Sequence, residues 1–463
     1  MDAGTKLEKE PLLAVLTPRG KSVLFGSSIL LALGFLSQGP ISKSLIASGT
    51  FMLLLLYISK LSLELRLYAA GRLIVKRVIE GSLVEGSKIR VRLLLENPTI
   101  VPLENIEVHD YYPSIFRLEN ASNMRIILVR PKGSASFEYT LRTAMGKHRF
   151  PKPLVIVRDP LGLFSKTLRI GSETEVSVLP RYERIPSQKL LVIPSTKPGG
   201  LSATRRKGVG TQIFEVREYQ QGDEVRRIEW KSTARLLKLM VKEFEQESSM
   251  EVIVVIDTSP SMVYGRVGYT KLEYSVRAAA TIGEYLTRRG DYIGLAFENP
   301  GEGLIVIPPG RGYGHLKAYM KALSSLYWPS PEKHAGPDSY RLLGTLSGVI
   351  GAVRKRGKTV FIIFTDLEMG EKEVSKVLDL LSKMRGLGHE VLVLSPSTPF
   401  FEAKALSGLQ AGLYRIRALD EIARRKAIAK LFLSRGIPIV SVGPDDLAAH
   451  ALRRIELLRQ VLL

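Results

Sequence analysis

The chain has 463 residues, too many for one ordinary core, so two or three domains are expected. It contains no cysteine, which excludes disulfides, zinc–thiolate centres and thiol nucleophiles and favours exposure to a reducing cytoplasm. Its 67 Lys and Arg exceed 45 Asp and Glu by 22; because the basic residues are dispersed and lack an aromatic–basic RNA signature, anionic lipid or an acidic protein is expected before nucleic acid.

Residues 1–20 read as a cytoplasmic tail. Ser22–Leu36 is an uncharged apolar run, and Leu45–Ile58 is a second one after the turn signal Ser37-Gln38-Gly39-Pro40. With flanking small residues each run reaches bilayer length, so 21–60 is predicted to form a transmembrane helical hairpin. Lys6, Lys9, Arg19 and Lys21 precede it, Lys60, Arg66, Arg72, Lys76 and Arg77 follow it, and Lys43 alone lies in the connection. That asymmetry places both flanks on the cytoplasmic side of the cell membrane. No small-residue cleavage site follows the first run, which argues against a signal peptide. The competing reading is a pair of buried core helices.

From 72 to 183 short alternating segments are punctuated by Gly, Pro and Asn. Lys88–Leu95, Ile106–His109, Met124–Val129, Ser136–Leu141, Leu154–Val157 and Glu175–Leu179 are predicted strands of an antiparallel β-sandwich. His109 and His148 lack partners at metal-ligand spacing and are expected to be structural. Residues 184–249 form a connector. It begins with a polar linker, Ser187–Lys207, and continues into Arg217-Glu218-Tyr219, Gly222-Asp223 and Arg226-Arg227-Ile228-Glu229-Trp230-Lys231, with Arg235 beyond. A partly buried charge network around Trp230 is the economical expectation. The alternative has Arg226, Arg227 and Arg235 meet a partner's acidic groups.

From 250 to 463 strands and helices alternate. Glu251–Ile256 has the β-branched composition of a strand buried on both faces. A helix over Thr270–Arg288, a hairpin of Tyr292–Phe297 with Leu304–Ile307, a helix over Leu342–Lys355, and strands Thr359–Phe364, Glu390–Leu394 and Pro438–Val442 follow. A doubly wound sheet of order 3-2-1-4-5-6 makes strands 1 and 4 neighbours, with ligands bound at their carboxyl ends. Asp257, Ser259 and Ser261 stand beyond strand 1 and Asp366 beyond strand 4, with Thr345 at the start of the intervening helix. Hard oxygen ligands carrying few charges suit Mg2+ or Mn2+. The fold class expected is therefore multidomain α+β: a membrane hairpin, a sandwich and an α/β sheet.

The pattern Asp257-x-Ser259-x-Ser261, then Thr345, then Asp366 resembles the metal-ion-dependent adhesion site of von Willebrand factor A domains. Most of the chain also resembles the prokaryotic domain-of-unknown-function family number fifty-eight. Asp159-Pro160-Leu161-Gly162-Leu163-Phe164, Gly208–Gly210, Arg217-Glu218-Tyr219, Gly222-Asp223, Arg226, Ile228, Trp230, Ala234-Arg235 and Lys242-Glu243-Phe244-Glu245 carry that resemblance. It implies a membrane pair, a sandwich, a von Willebrand A-like domain, and a MoxR-type AAA+ ATPase as partner. The family often continues Gly-Thr-Asp-Leu where this chain has Gly344-Thr345-Leu346, so a further carboxylate near the metal is missing.

The expected function is a membrane-anchored, metal-dependent protein-binding module without catalytic activity. A metal-assisted hydrolase or phosphoryl-transfer enzyme using Asp257 is the first alternative. Ser259 stands where such an enzyme usually carries a second Asp, and a serine is no general acid at neutral pH. A structural membrane scaffold with a vestigial metal loop is the second.

Overall fold

The structure is a computed structural model that describes residues 15–185, 207–245, 249–263, 268–299, 302–326, 341–353, 358–368, 370–396, 423, 425–443 and 446–462. Most of the amino-terminal tail and residues 186–206 of the expected linker lie outside them. The chain divides into two compact units, Met1–Val178 and Leu179–Leu463.

The first unit opens with a short strand β1 (Val15–Leu16), then helices α1 (Pro18–Leu36) and α2 (Pro40–Ala70). Thr17 caps α1, its hydroxyl accepting from the Gly20 amide at 3.2 Å, and Pro18 sits where a missing N–H costs nothing. Gly39, at φ +82°, makes the turn that Pro40 then starts as a helix. Both helices are long and apolar enough to cross a membrane. They approach closely at glycines: a Cβ on Gly34 would lie 2.7 Å from Ile46, and one on Gly49 2.7 Å from Leu31. Phe25, Phe35, Phe51 and Tyr57 are each at least 65% exposed. A pair of buried core helices would have covered such side chains.

Helix α2 continues well past its expected end. Lys60, Glu64 and Arg66 interrupt the apolar run, yet no helix breaker appears before Gly71. Leu63, Ala69 and Ala70 are fully buried at its far end and join the core of the sheets that follow.

Those sheets are antiparallel. One has the order β1-β10-β9-β4-β6, built from β4 (Leu103–His109), β6 (Met124–Val129), β9 (Leu154–Arg158) and β10 (Phe164–Arg169). The other, β2-β3-β7-β5, uses β2 (Ile74–Gly81), β3 (Lys88–Glu96), β5 (Arg117–Asn120) and β7 (Ser134–Arg142). A separate pair joins β8 (Gly146–Phe150) to β11 (Thr174–Val178). Alternation places Ile89, Val91, Leu93 and Leu95 of β3 in one cluster with Val108 of β4 and Val155 and Val157 of β9. Inside this unit the Arg77 guanidinium forks onto buried Asp110, which also accepts from the Tyr139 hydroxyl at 2.8 Å. Burial, then the Asp110 charge, raises the Tyr139 phenol above its usual range. His148 packs edge-on against Phe116 and bonds the Ala144 and Met145 carbonyls, and its pKa is lowered by burial. His109 bonds Glu107 at 2.7 Å.

The second unit begins with an antiparallel ribbon of β12 (Lys207–Glu218) and β13 (Met240–Glu245). Its far end carries a 3-10 turn, Val225–Arg227, and the two-turn helix α3 (Trp230–Leu236). The expected network around Trp230 is not what forms. Arg217 grips Asp223 at 2.7 and 2.8 Å, Arg226 bonds Glu224 at 2.8 Å and Lys242 pairs with Glu229, whereas Trp230 is 65% exposed. Among the described residues the charges are satisfied locally along the ribbon and do not enclose the indole.

The rest is a six-stranded sheet with helices. Its strands are β14 (Glu251–Ile256), β15 (Tyr292–Asn299), β16 (Gly303–Gly310), β17 (Thr359–Phe364), β18 (Glu390–Pro396) and β19 (Ile439–Val442). Their order is β16-β15-β14-β17-β18-β19, with every pair parallel except β15–β16. Counted within the sheet, this is the expected 3-2-1-4-5-6 with an antiparallel edge. Central β14 is buried on both faces: Ile253 and Val255 pack with Leu342, Leu346 and Val349 of α7 (Arg341–Val353). Before it come α4 (Pro260–Val263), α5 (Lys271–Arg288) and α6 (Tyr313–Ser324), and after it α8 (Glu371–Gly386) and α9 (Leu447–Leu462). A capping box starts α5: the Thr270 hydroxyl accepts from the Glu273 amide, and the Glu273 carboxylate accepts from the Thr270 amide at 2.7 Å.

Candidate functional site

Strands β14 and β17 are hydrogen-bonded neighbours, with Ile256 opposite Phe364, so the residues following both emerge together at their carboxyl ends. Asp257 and Asp366 are each 1% exposed there. Asp257 accepts from the Ser259 amide at 2.9 Å and the Ser259 hydroxyl at 2.5 Å on one oxygen, and from the Thr365 hydroxyl at 2.7 Å on the other. All three donors are neutral, and no ion pair to Asp257 occurs among the described residues. Burial, then the nearby Asp366 charge, pushes its carboxyl up to about 6, against the pull of these hydrogen bonds.

Asp366 is differently served. It accepts from the Ser261 hydroxyl at 3.1 Å and from the Lys271 ammonium at 2.6 Å. Lys271, 2% exposed along its side chain, also reaches Glu368 at 2.7 Å, and Arg425 reaches the same Glu368 oxygen at 3.0 Å. The turn that presents Asp366 and Glu368 together runs through Leu367 at φ +57°. A buried non-glycine residue in that conformation costs about 1–3 kcal/mol, which the surrounding bonds must over-determine. The Thr365 hydroxyl helps by accepting from the Leu367 amide while it donates to Asp257.

Thus Asp257 with Ser259, and Ser261 with Asp366, form two hydrogen-bonded pairs at the ends of adjacent strands, close enough for the Asp366 charge to act on Asp257. Thr345 is buried at 1% on α7, where its hydroxyl donates to the Arg341 carbonyl at 3.0 Å, one turn back. It is tied to the loop indirectly, because the Arg341 guanidinium donates to the Thr258 carbonyl at 2.9 Å. The Thr258 hydroxyl in turn donates to the Glu298 carbonyl at the end of β15. Among the described residues no group of three or more His, Cys, Asp or Glu gathers as a metal cage would. What gathers is two carboxylates with hydroxyls, the donor set of a hard cation.

Arg226 and Arg227 lie in the ribbon's 3-10 turn and bond Glu224 at 2.8 and 3.2 Å. Arg235, in the last turn of α3, is exposed. None of the three belongs to the carboxylate cluster.

Lys271, Thr365, Glu368, Arg341 and Arg425 were not expected from the sequence. One signal for Lys271 was legible: it is the first residue of a helix, where the positive end of the helix dipole disfavours a cation. A lysine buried there requires carboxylates facing it.

Two uncharacterized relatives match at low identity. One, YeaD of Bacillus subtilis (strain 168), is 27% identical over 281 residues, 59% of this chain and 66% of its own length. The other, from Mycobacterium bovis, is 26% identical over 256 residues, 51% of this chain and 76% of its own length. Among solved structures, the bacterial hydrophobin BslA aligns over 24% of this chain and 99% of its own, at 14% identity and a TM-score of 0.15, too low to bear on fold or function. Neither relative's name assigns an enzymatic activity. Residues 215–395, a span that includes the carboxylate cluster, match the family described as "Protein of unknown function DUF58".

Proposed function

We propose that the second unit is a von Willebrand factor A-like, divalent-cation-dependent protein-binding module without a catalytic step. The hairpin of α1 and α2 anchors it in the cytoplasmic membrane, and the paired sheets of the first unit, a β-sandwich, lie on the cytoplasmic side with it. The observation that carries this reading is Asp257: a carboxylate buried beside a second carboxylate and served only by neutral donors. Such a group is left electrostatically short of positive charge, as metal-ligating carboxylates are.

Asp257, Ser259, Ser261 and Asp366 would hold Mg2+ or Mn2+, with Thr345 contributing its hydroxyl oxygen, whose lone pairs remain available while its O–H donates to the Arg341 carbonyl. When bound, the cation supplies positive charge and an open position that a partner's Asp or Glu can complete. The chain's own residues do the positioning: Thr365 orients Asp257, Lys271 fixes one oxygen of Asp366, and Thr258 and Arg341 pin the loop to its neighbours. Counting Asp257, Asp366 and Glu368 against Lys271, Arg425 and the loop-bound Arg341, the formal charges balance, and a divalent ion would leave positive charge in excess. An acidic partner is then favoured over a basic one. The family resemblance makes a MoxR-type AAA+ ATPase the leading partner, acting on a protein client.

Exposed aromatic and aliphatic side chains around α1 and α2 support the membrane anchor, and the basic flanks support its orientation. The test is capture of the partner ATPase by the full chain purified from membranes. Capture in Mg2+, its loss in EDTA and its loss in Asp257→Ala are expected. Capture that survives EDTA would overturn the cation-dependent reading.

A further inference from the structure

The tip of the ribbon in the second unit presents apolar side chains to solvent. Val225 is 66% exposed, Trp230 65%, Leu236 50%, Leu237 91% and Leu239 46%, all within fifteen residues. Helix α3 buries none of its seven residues. It is held from below: the Glu229 amide donates to the Met240 carbonyl at 2.8 Å, the Met240 amide to the Thr233 hydroxyl at 3.0 Å, and Ile228 pairs with Val241. Leu237 closes the helix in the left-handed region at φ +54°, where a leucine gains nothing locally, and points almost wholly outward. The fold therefore supports this knob without burying its apolar surface.

The charge around these side chains is positive. Between Val216 and Lys242 there are seven Lys and Arg against four Asp and Glu. Asp223 is gripped by Arg217, Glu224 by Arg226 and Arg227, Glu229 by Lys242, and Glu218 by Lys238 at 3.4 Å. Each acid of the segment is thus matched, while Lys231 and Arg235 of α3 have no carboxylate partner among the described residues. One tryptophan and several leucines amid lysine and arginine, on a short exposed helix, is the composition that settles at the headgroup level of an anionic bilayer.

We infer that the Val225–Leu239 knob is a membrane-interface foot, which inserts Trp230, Leu236 and Leu237 into an anionic leaflet while Lys231 and Arg235 meet its phosphates. The inference rests on the anchoring proposed above, because the tether keeps the knob at a high effective concentration beside the bilayer. An acidic, apolar protein surface is the rival occupant. The membrane is favoured because the knob projects its apolar groups from a helix with no buried residue, and because the chain carries its own bilayer-length helices.

The chain has two tryptophans, Trp230 and Trp328, so Trp328→Phe leaves Trp230 as the sole indole reporter in the full-length protein. That variant is reconstituted in phosphatidylglycerol-containing vesicles, with and without bromine on the acyl chains. A blue-shifted Trp230 emission that brominated chains quench is expected, with weaker quenching in phosphatidylcholine alone. Leu237→Glu, at a side chain that contacts little of its own protein, should abolish the quenching without lowering the melting temperature. A chain that stays in the vesicles after carbonate washing but shows an unquenched Trp230 would overturn the foot alone. A chain washed out by carbonate would overturn the anchor and the foot together. Emission that ignores bromine yet shifts with a soluble Glu-rich amphipathic peptide would assign the knob to a protein and also overturn the inference.

Discussion

Replacing Lys271 with methionine isolates the electrostatics of the candidate site. The lysine and Asp366 are 2% and 1% exposed along their side chains, so water screens little of their attraction. Methionine keeps most of the volume of the stem and removes the ammonium. Asp366 would then be left with the Ser261 hydroxyl and the Glu368 amide as its donors. Removing one partner of a buried pair costs about 3–5 kcal/mol. At ~2–4 °C per kcal/mol for a domain of this size, the melting temperature in EDTA should fall by roughly 10 °C. If a divalent ion shares Asp366, the ammonium competes with it, and Lys271→Met should bind Mg2+ more tightly than the parent chain. Mg2+ at a hundred times its dissociation constant restores about 2.7 kcal/mol, most of the loss. Melting curves in detergent, in EDTA and across an Mg2+ series, separate these steps. A variant as stable as the parent in EDTA would refute the buried-pair reasoning. A destabilised variant that Mg2+ cannot rescue would refute the sharing of Asp366 with a cation.

Other positions give independent checks. Ser259→Ala combined with Ser261→Ala removes two hydroxyls of the proposed ligand set and should weaken Mg2+ binding at least tenfold by calorimetry, about 1.4 kcal/mol; heats equal to those of the parent chain would count against that set. Arg77→Leu leaves the buried Asp110 charge with the Tyr139 hydroxyl but no cation and should destabilise the first unit by about 3–5 kcal/mol, read from its own melting transition. Gly49→Leu puts a side chain where a Cβ already lies 2.7 Å from Leu31, so α1 and α2 must separate; a cysteine pair placed across the interface should then lose its cross-linking.

The order of the carboxyl-terminal sheet was readable because each strand carries its own signal. Val252–Ile256 and Val360–Phe364 are continuous apolar runs, and the sequence signal Glu298-Asn299-Pro300-Gly301 separates the two strands of the antiparallel edge. The convergence of Asp257 with Asp366 followed from strand adjacency alone. The partners of Lys271 and Arg425 were beyond reach because they lie 95 and 57 residues away, and no periodicity encodes such a pairing; the helix-start position of Lys271 signals only that a carboxylate must face it. Trp230 was misjudged for a different reason. Mixed charge around an aromatic reads equally well as a buried network or as a ribbon edge, and only the local match of Arg217 with Asp223 decides between them. Composition likewise ended the second apolar helix too early, at the first lysine, although lysine and glutamate are good helix formers.

That longer helix has a mechanical consequence. Between the apolar stretch of α2 and the core of the paired sheets there is no loop, glycine or proline to serve as a swivel, since one unbroken set of helical hydrogen bonds runs from Pro40 to Ala70. Its last turn is locked by Ala69 and Ala70 among the strands. A tilt or rotation imposed on the apolar segment is therefore delivered to the sheets as a rigid lever, and a pull on the sheets returns along the same rod.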